Sequence, residues 1–236
     1  MTLFKKKKKP LQKAARKLIT VDNTKSIISE QFRTVRTNIH FSTADNDLRS
    51  ILITSSSPSE GKSTCAANIA VVFAQEGRKV LLIDSDMRKP TMHHTFRLNN
   101  GTGLSSVLTR QAEIADVVMD TAIENLHVMP CGPIPPNPAE LIGSQTMKAL
   151  IEQLKLEFDL LVFDAPPLLS VADAQILSNE CDGTILVVDT GSTEKDSALK
   201  AKETLQSANA RILGVLMNNY ALAKDHYYYQ YYGTSE

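Results

Sequence analysis

Ile51-Leu52-Ile53-Thr54-Ser55-Ser56-Ser57-Pro58-Ser59-Glu60-Gly61-Lys62-Ser63-Thr64 is an apolar strand that empties into a polar loop and then into a helix. The loop closes on Gly-Lys-Ser-Thr, the ending of a phosphate-binding loop. In such a loop successive backbone N–H groups and the positive end of the following helix hold phosphate oxygens. The lysine adds a charge at the β and γ phosphates, and the first hydroxyl can ligate Mg²⁺. On this reading Ser57, Pro58, Ser59, Glu60, Gly61, Lys62, Ser63 and Thr64 form a nucleotide cradle. Ser56 stands where the strict pattern has its first glycine, so a plain motif search passes over the stretch.

Outward from the loop, short apolar runs alternate with helical patterns. Strands are expected at Ile51–Ile53, Val80–Ile83, Leu126–Met129, Leu160–Phe163, Thr184–Val188 and Ile212–Met217, with helices near 26–41, 62–76, 139–157, 171–179 and 194–208. Fully apolar strands separated by helices predict a doubly wound α/β fold, its mainly parallel sheet covered on both faces. The chain divides into a basic arm over 1–25, a folded domain over 26–218 and a tyrosine-rich tail over 219–236.

The 236 residues hold 26 Lys plus Arg against 26 Asp plus Glu. That neutrality hides a basic arm on an acidic body: eight bases and no acid precede residue 18, leaving a net charge of −8 for the remainder. Three cysteines at no metal-ligand spacing argue against a disulfide framework and for a reducing cytosol. No apolar run reaches the roughly 18 residues of a membrane span or follows the lysines as a signal peptide would. The expectation is a chain neither inserted nor exported.

Two further strands end in acids. Val80-Leu81-Leu82-Ile83 runs into Asp84-Ser85-Asp86-Met87-Arg88, and Leu161-Val162-Phe163 runs into Asp164-Ala165-Pro166-Pro167. A parallel sheet delivers these carboxylates to the edge that carries the phosphate loop. An acid there can hold waters of a Mg²⁺ shell, since this ion takes few protein oxygens. Each acid alone would also suit a strand-terminal cap or turn.

Together the loop, the Asp-x-Asp-x-Arg element and the Asp-x-Pro-Pro element resemble the Walker A, A′ and B motifs of the bacterial tyrosine kinases of capsule and exopolysaccharide synthesis. Glu30, Arg33 and Arg36 resemble that family's Glu-x-x-Arg-x-x-Arg helix, Gly132–Leu141 its proline-rich segment, and the terminal tyrosines its autophosphorylation cluster. The resemblance implies a P-loop NTPase-like fold related to partition and division-site ATPases, and transfer of the ATP γ-phosphoryl group to tyrosine with Mg²⁺. It implies that Lys62 holds the phosphates, that Ser63, Asp84 and Asp164 hold the metal or its waters, and that Asp86 orients or deprotonates the phenol. Arg88 would steady the transition state or pair with Asp86. Tyr227, Tyr228, Tyr229, Tyr231 and Tyr232 would be the acceptors, presented to a neighbouring subunit in a ring whose contact face carries Glu30, Arg33 and Arg36. A separate transmembrane activator, a cognate tyrosine phosphatase and a cytoplasmic enzyme recruited to the inner membrane face complete the implied setting.

Several of these features have plainer accounts. The Glu30 and Arg33 pair sits at i, i+3 and flanks the apolar stripe of Ile28, Phe32, Val35 and Ile39, which suits a surface ion pair. Asn137, Pro138 and Glu140 suit the N-cap, first and third positions of a helix. Asn218 and Asn219 follow the last strand, where they could touch a nucleobase or simply end the strand. From Asn218, Tyr227 lies up to roughly 30 Å away and Tyr232 roughly 45 Å, enough to reach a neighbour. Filling all five clustered tyrosines would add roughly −7 to −10 charges and should loosen the assembly. The basic arm suits an anionic membrane surface better than nucleic acid, for which no reader element is present. An ATP-driven positioning switch of the partition kind would share the fold, but Thr54–Glu60 lacks the extra lysine of that group. A nucleotide-dependent scaffold without transfer is the other alternative.

Overall fold

The structure is a computed structural model that describes residues 18–42 and 48–221. The basic arm up to residue 17 and the tyrosines from Tyr227 to Tyr232 lie outside the described residues. In chain order the elements are α1 (Ile19–Asp22), α2 (Ile27–Phe41), β1 (Ser50–Ser55), α3 (Lys62–Ala74), β2 (Val80–Asp84), α4 (Met92–Phe96), α5 (Leu104–Leu108) and α6 (Ile114–Val117). They continue with β3 (Met119–Asp120), β4 (Leu126–Met129), α7 (Pro138–Ile142), α8 (Gln145–Glu157), β5 (Leu160–Asp164), α9 (Asp173–Ser178), β6 (Gly183–Asp189), α10 (Lys195–Ser207) and β7 (Ile212–Asn218).

The seven strands form one sheet in the order β3-β4-β2-β5-β1-β6-β7. Every pairing is parallel except the short β3, which runs antiparallel to β4. Successive side chains of a strand face opposite sides, so continuous apolar runs demand a core on each face. Ile51, Ile53, Leu82 and Val162 meet α3 and α2 on one face, while Leu52, Leu81, Leu161 and Phe163 meet α8, α9 and α10 on the other. α3 is apolar nearly all round because the sheet and α2 both press on it. The register sets Asp84 beside Asp164 across β2 and β5, at the carboxyl end of the sheet.

Three sequence expectations are corrected. The expected arm ended at residue 25, but α1 lies within that span and packs on the domain. Thr20 is buried and bonds through its N–H (3.1 Å) and hydroxyl (2.8 Å) to Asn68 Oδ1 on α3. The expected helix over 139–157 is two helices, because Ser144 stops the first and accepts from the Met147 N–H (3.1 Å) to start α8. Ile28, expected in the α2 stripe, is exposed, and its place is taken by buried Ser29, whose hydroxyl donates to Asn23 O at 2.7 Å. Ser26 caps α2 from its side chain. The short α4, α5, α6 and β3 have too few residues to show a period in sequence.

Candidate functional site

β1 ends at Ser55 and α3 begins at Lys62, so the loop between them is held at both ends by the core. Two of its residues lie in the left-handed region, Ser59 at φ 71° and Gly61 at φ 89°. A Cβ on Gly61 would fall 2.1 Å from Asn218 Nδ2, so that side chain would have to move. The loop backbone therefore lies against the Asn218 side chain at the end of β7, and the left-handed glycine lets it do so. Ser56, in the place of the expected glycine, is buried and donates to Glu60 Oε1 at 2.7 Å.

The loop, the end of β2 and the Pro166-Pro167 turn after β5 enclose a cleft of about 600 Å³. Pro58, Ser59, Gly61, Lys62, Ser63 and Thr64 line it on one side, with Asp86, Arg88 and Lys89 opposite. Lys62 Nζ donates to Asp86 Oδ2 at 2.9 Å and to Ser63 Oγ at 3.3 Å, and lies 3.5 Å from Asp164 Oδ1. Burial alone would pull the lysine's pKa down, but the charges of Asp164 and Asp86 outweigh it, and the ammonium is held above its ordinary value. It is a fixed cation at neutral pH.

Asp84 and Asp164 are both fully buried. Asp84 Oδ2 accepts from the N–H groups of Thr91 (2.8 Å) and Met92 (2.9 Å), while Oδ1 accepts no hydrogen bond among the described residues. Burial first, and the neighbouring Asp164 second, push the Asp84 carboxyl well above the usual range. Three acids face one lysine here, so the cluster favours added positive charge. No group of three His, Cys, Asp or Glu side chains among the described residues is arranged as a metal cage. A hydroxyl and strand-end carboxylates fit Mg²⁺, which keeps its waters and binds through one or two protein oxygens and the phosphates of a nucleotide. Ser63, Asp84 and Asp164 could hold it.

The remaining expected residues are placed differently. Ser57 and Glu60 do not line the cleft; the Glu60 carboxylate turns inward to the Ser57 N–H (3.1 Å) and the Thr193 hydroxyl (2.7 Å). Asn218 Nδ2 donates to Glu60 O at 3.1 Å, so this side chain buttresses the loop. Arg88 does not pair with Asp86 through its guanidinium, as one reading expected. Its Nε and Nη2 donate to the two oxygens of Asp173 at 2.9 and 3.0 Å, and this bond holds the guanidinium pKa above its ordinary value. Asp86 Oδ1 instead accepts from the Arg88 and Lys89 N–H groups at 3.3 and 3.0 Å, which fixes the carboxylate toward Lys62. Asn137 stands at the N-cap position of α7 with Pro138 first in the helix, but its side chain makes no capping bond to the backbone; its amide donates to Glu140 Oε2 at 2.6 Å instead.

On α2, Glu30 and Arg33 form a surface ion pair, and Arg33 Nη2 donates to Thr24 O at 2.9 Å. Arg36 turns inward, donating to Val72 O at 2.8 Å. Asp173, Thr193 and Thr91 were missed in the sequence. Each reads there as an ordinary helix-start or loop residue, and only the packing aims it at the site.

A model of the AAA domain family matches residues 48–212. The chain is similar to the tyrosine-protein kinase YwqD of Bacillus subtilis (strain 168), 51% identical over 221 residues, covering 94% of this chain and 93% of that one. Among solved structures it is similar to the kinase domain of the Escherichia coli tyrosine kinase ETK, with a TM-score of 0.85, 30% identity and coverage of 89% and 82%. It also resembles the septum site-determining protein MinD of Pyrococcus horikoshii OT3, solved with Mg-ADP, at a TM-score of 0.62, 26% identity and coverage of 75% and 72%.

Proposed function

The chain belongs to the bacterial tyrosine-protein kinases, and we propose that it moves the γ-phosphoryl group of ATP onto tyrosines of a neighbouring copy's C-terminal tail. It is a tyrosine-protein kinase with an ATP site in a P-loop α/β fold. The observation that carries the finer reading is the 2.9 Å contact between Lys62 Nζ and Asp86 Oδ2 in the cleft. It sets a phosphate-binding cation beside a carboxylate that can accept a proton.

A phenol with pKa near about 10 is a poor nucleophile at neutral pH. Asp86, oriented by the N–H groups of Arg88 and Lys89, accepts the phenol proton as its oxygen attacks the γ-phosphorus. The bond from that phosphorus to the β–γ bridging oxygen breaks, and ADP carries the electron pair away. Lys62 must exchange Asp86 for phosphate when nucleotide enters, which frees the carboxylate at the moment it is needed. Ser63, Asp84 and Asp164 would hold Mg²⁺, which when bound offsets charge on the phosphates. Most of the acceleration comes from positioning and charge neutralisation.

The acceptors in this reading are Tyr227, Tyr228, Tyr229, Tyr231 and Tyr232. The exposed Glu30 and the half-buried Arg33 and Arg36 on α2 form the contact face of a ring. A transmembrane activator recruits the enzyme to the inner membrane face, with the basic arm on anionic lipid, and a tyrosine phosphatase resets the tail. The role is regulation of capsule or exopolysaccharide synthesis. Among the described residues no helix is long and apolar enough to cross a membrane.

The test is incubation of the purified chain with labelled ATP, Mg²⁺ and the activator's cytoplasmic segment. Label on tail tyrosines that is lost in Lys62→Met is expected. Phosphate release without labelled tyrosine would support a positioning switch instead, and neither would support a scaffold.

A further inference from the structure

Glu60 lies in the middle of the phosphate loop, yet only 2% of it is exposed and its neighbours Ser59 and Gly61 line the cleft without it. A carboxylate buried beneath a loop that receives an anion is unfavourable unless its hydrogen bonds compensate. Three donors converge on it. Oε1 accepts from the hydroxyls of Ser56 and Thr193, both at 2.7 Å, and Oε2 accepts from the Ser57 N–H at 3.1 Å. The main-chain oxygen of the same residue accepts from Asn218 Nδ2 at 3.1 Å.

These bonds continue beyond the loop. The Thr193 hydroxyl accepts from the Asp189 N–H at 2.8 Å, and Asp189 Oδ2 accepts from Asn219 Nδ2 at 2.8 Å. One chain of hydrogen bonds therefore joins the phosphate loop to the turn between β6 and α10 and to the end of β7. The loop has need of such a brace. Ser59 holds φ 71°, a left-handed value that a serine abandons unless the surroundings impose it.

We propose that Glu60 is a positioning residue, tied through Thr193 to the β6 and β7 side of the sheet so that the phosphate loop stays in its nucleotide-ready shape. The proposal deepens the kinase reading and rests on it only for the identity of the nucleotide. What the brace requires is hydrogen bonding rather than charge. A glutamine can turn its carbonyl to the Ser57 N–H and donate its amide protons to the two hydroxyls, each of which can rotate to accept.

The experiment compares the full-length parent with Glu60→Ala, Glu60→Gln and Thr193→Val. A fluorescent ATP analogue is titrated in the presence of Mg²⁺, tyrosine transfer is measured at saturating ATP with the activator's cytoplasmic segment present, and melting temperature is followed as a control for folding. Glu60→Ala is expected to bind nucleotide about 10- to 100-fold more weakly, with transfer at saturation within about threefold of the parent. Thr193→Val should bind about 3- to 10-fold more weakly, and Glu60→Gln should stay within about threefold in both readouts. The proposal is overturned if Glu60→Ala binds like the parent, if Glu60→Gln is as weak as the alanine variant, or if Thr193→Val is indistinguishable from the parent. Should Glu60→Ala fail to fold, the glutamine and valine variants still decide between the outcomes. A parent that transfers nothing to tyrosine while the affinities rank as stated would count against the kinase reading and for the brace.

Discussion

Arg88→Ala and Asp173→Asn break the same ion pair and are expected to differ in cost, because burial of the two partners is so unequal. The Asp173 side chain is 1% exposed and that of Arg88 is 41% exposed. Truncating Arg88 leaves a carboxylate inside the protein without its cation. Breaking a fully buried pair from one side costs about 3–5 kcal/mol, and water entering through the half-open position that Arg88 vacates lowers this to about 2–3 kcal/mol. Asp173→Asn leaves a guanidinium that solvent already reaches and keeps one acceptor, though its buried amide now faces an N–H, so its cost is about 1–2 kcal/mol. Urea unfolding at neutral pH, with the slope checked for constancy, measures both. Equal costs, or a larger cost for Asp173→Asn, would refute the reasoning.

The same pair separates two roles for Arg88. If the bidentate bond to Asp173 pins the Asp86–Lys89 turn, then Asp173→Asn and Arg88→Lys should lower the transfer rate by similar factors, about threefold to tenfold, since each removes part of the fork. If Arg88 instead leaves Asp173 to meet the transferring phosphate, Asp173→Asn would leave the rate intact while Arg88→Lys lowered it.

Two other expectations follow from the same geometry. Gly61→Ala should weaken nucleotide binding about tenfold or more, because its Cβ, 2.1 Å from Asn218 Nδ2, would push that amide off Glu60 O and add the strain of φ 89°, whereas Gly77→Ala at φ 95° meets open space and should cost stability of about 1–2 kcal/mol with affinity unchanged; equal affinities in the two variants would contradict the close approach. Burial pushes the Cys65 thiol up to about 12 and raises Cys131 and Cys181 as well, so a thiol reagent at pH 8 should modify none of the three until the chain is unfolded. The sign for stability is that buried protonated thiols contribute fully below the ordinary thiol value of about 9 and lose that contribution as pH rises above it; a fast-reacting thiol in the native chain, or stability unchanged between pH 8 and 11, would sink this.

Much of the architecture could be read from residues in order. Runs such as Val80–Ile83 and Leu160–Phe163 are apolar at every position, and only strands covered on both faces accommodate that. Gly61, Lys62 and Ser63 announce a phosphate loop because their chemistry is local: a left-handed glycine, a cation and a hydroxyl on one turn of helix. Asp84 and Asp164 were legible for the same reason, as acids closing strands that must lie in one sheet, and the register sets them side by side.

Partnerships across the chain were not legible. Arg88 and Asp173 are 85 residues apart, and Glu60 and Thr193 are 133 apart. No pattern within either segment distinguishes these residues from surface acids, bases and hydroxyls. Local sequence determines which backbone conformations and which apolar faces are available, because propensity and periodicity act within a few residues. Which polar side chain ends up opposite which other is decided when the sheet order brings β1, β6 and β7 together and sets α9 under the Asp86–Lys89 turn. Only then does burial make an unmatched donor or acceptor costly, and it is that cost, absent from an extended chain in water, that selects the braces around the site.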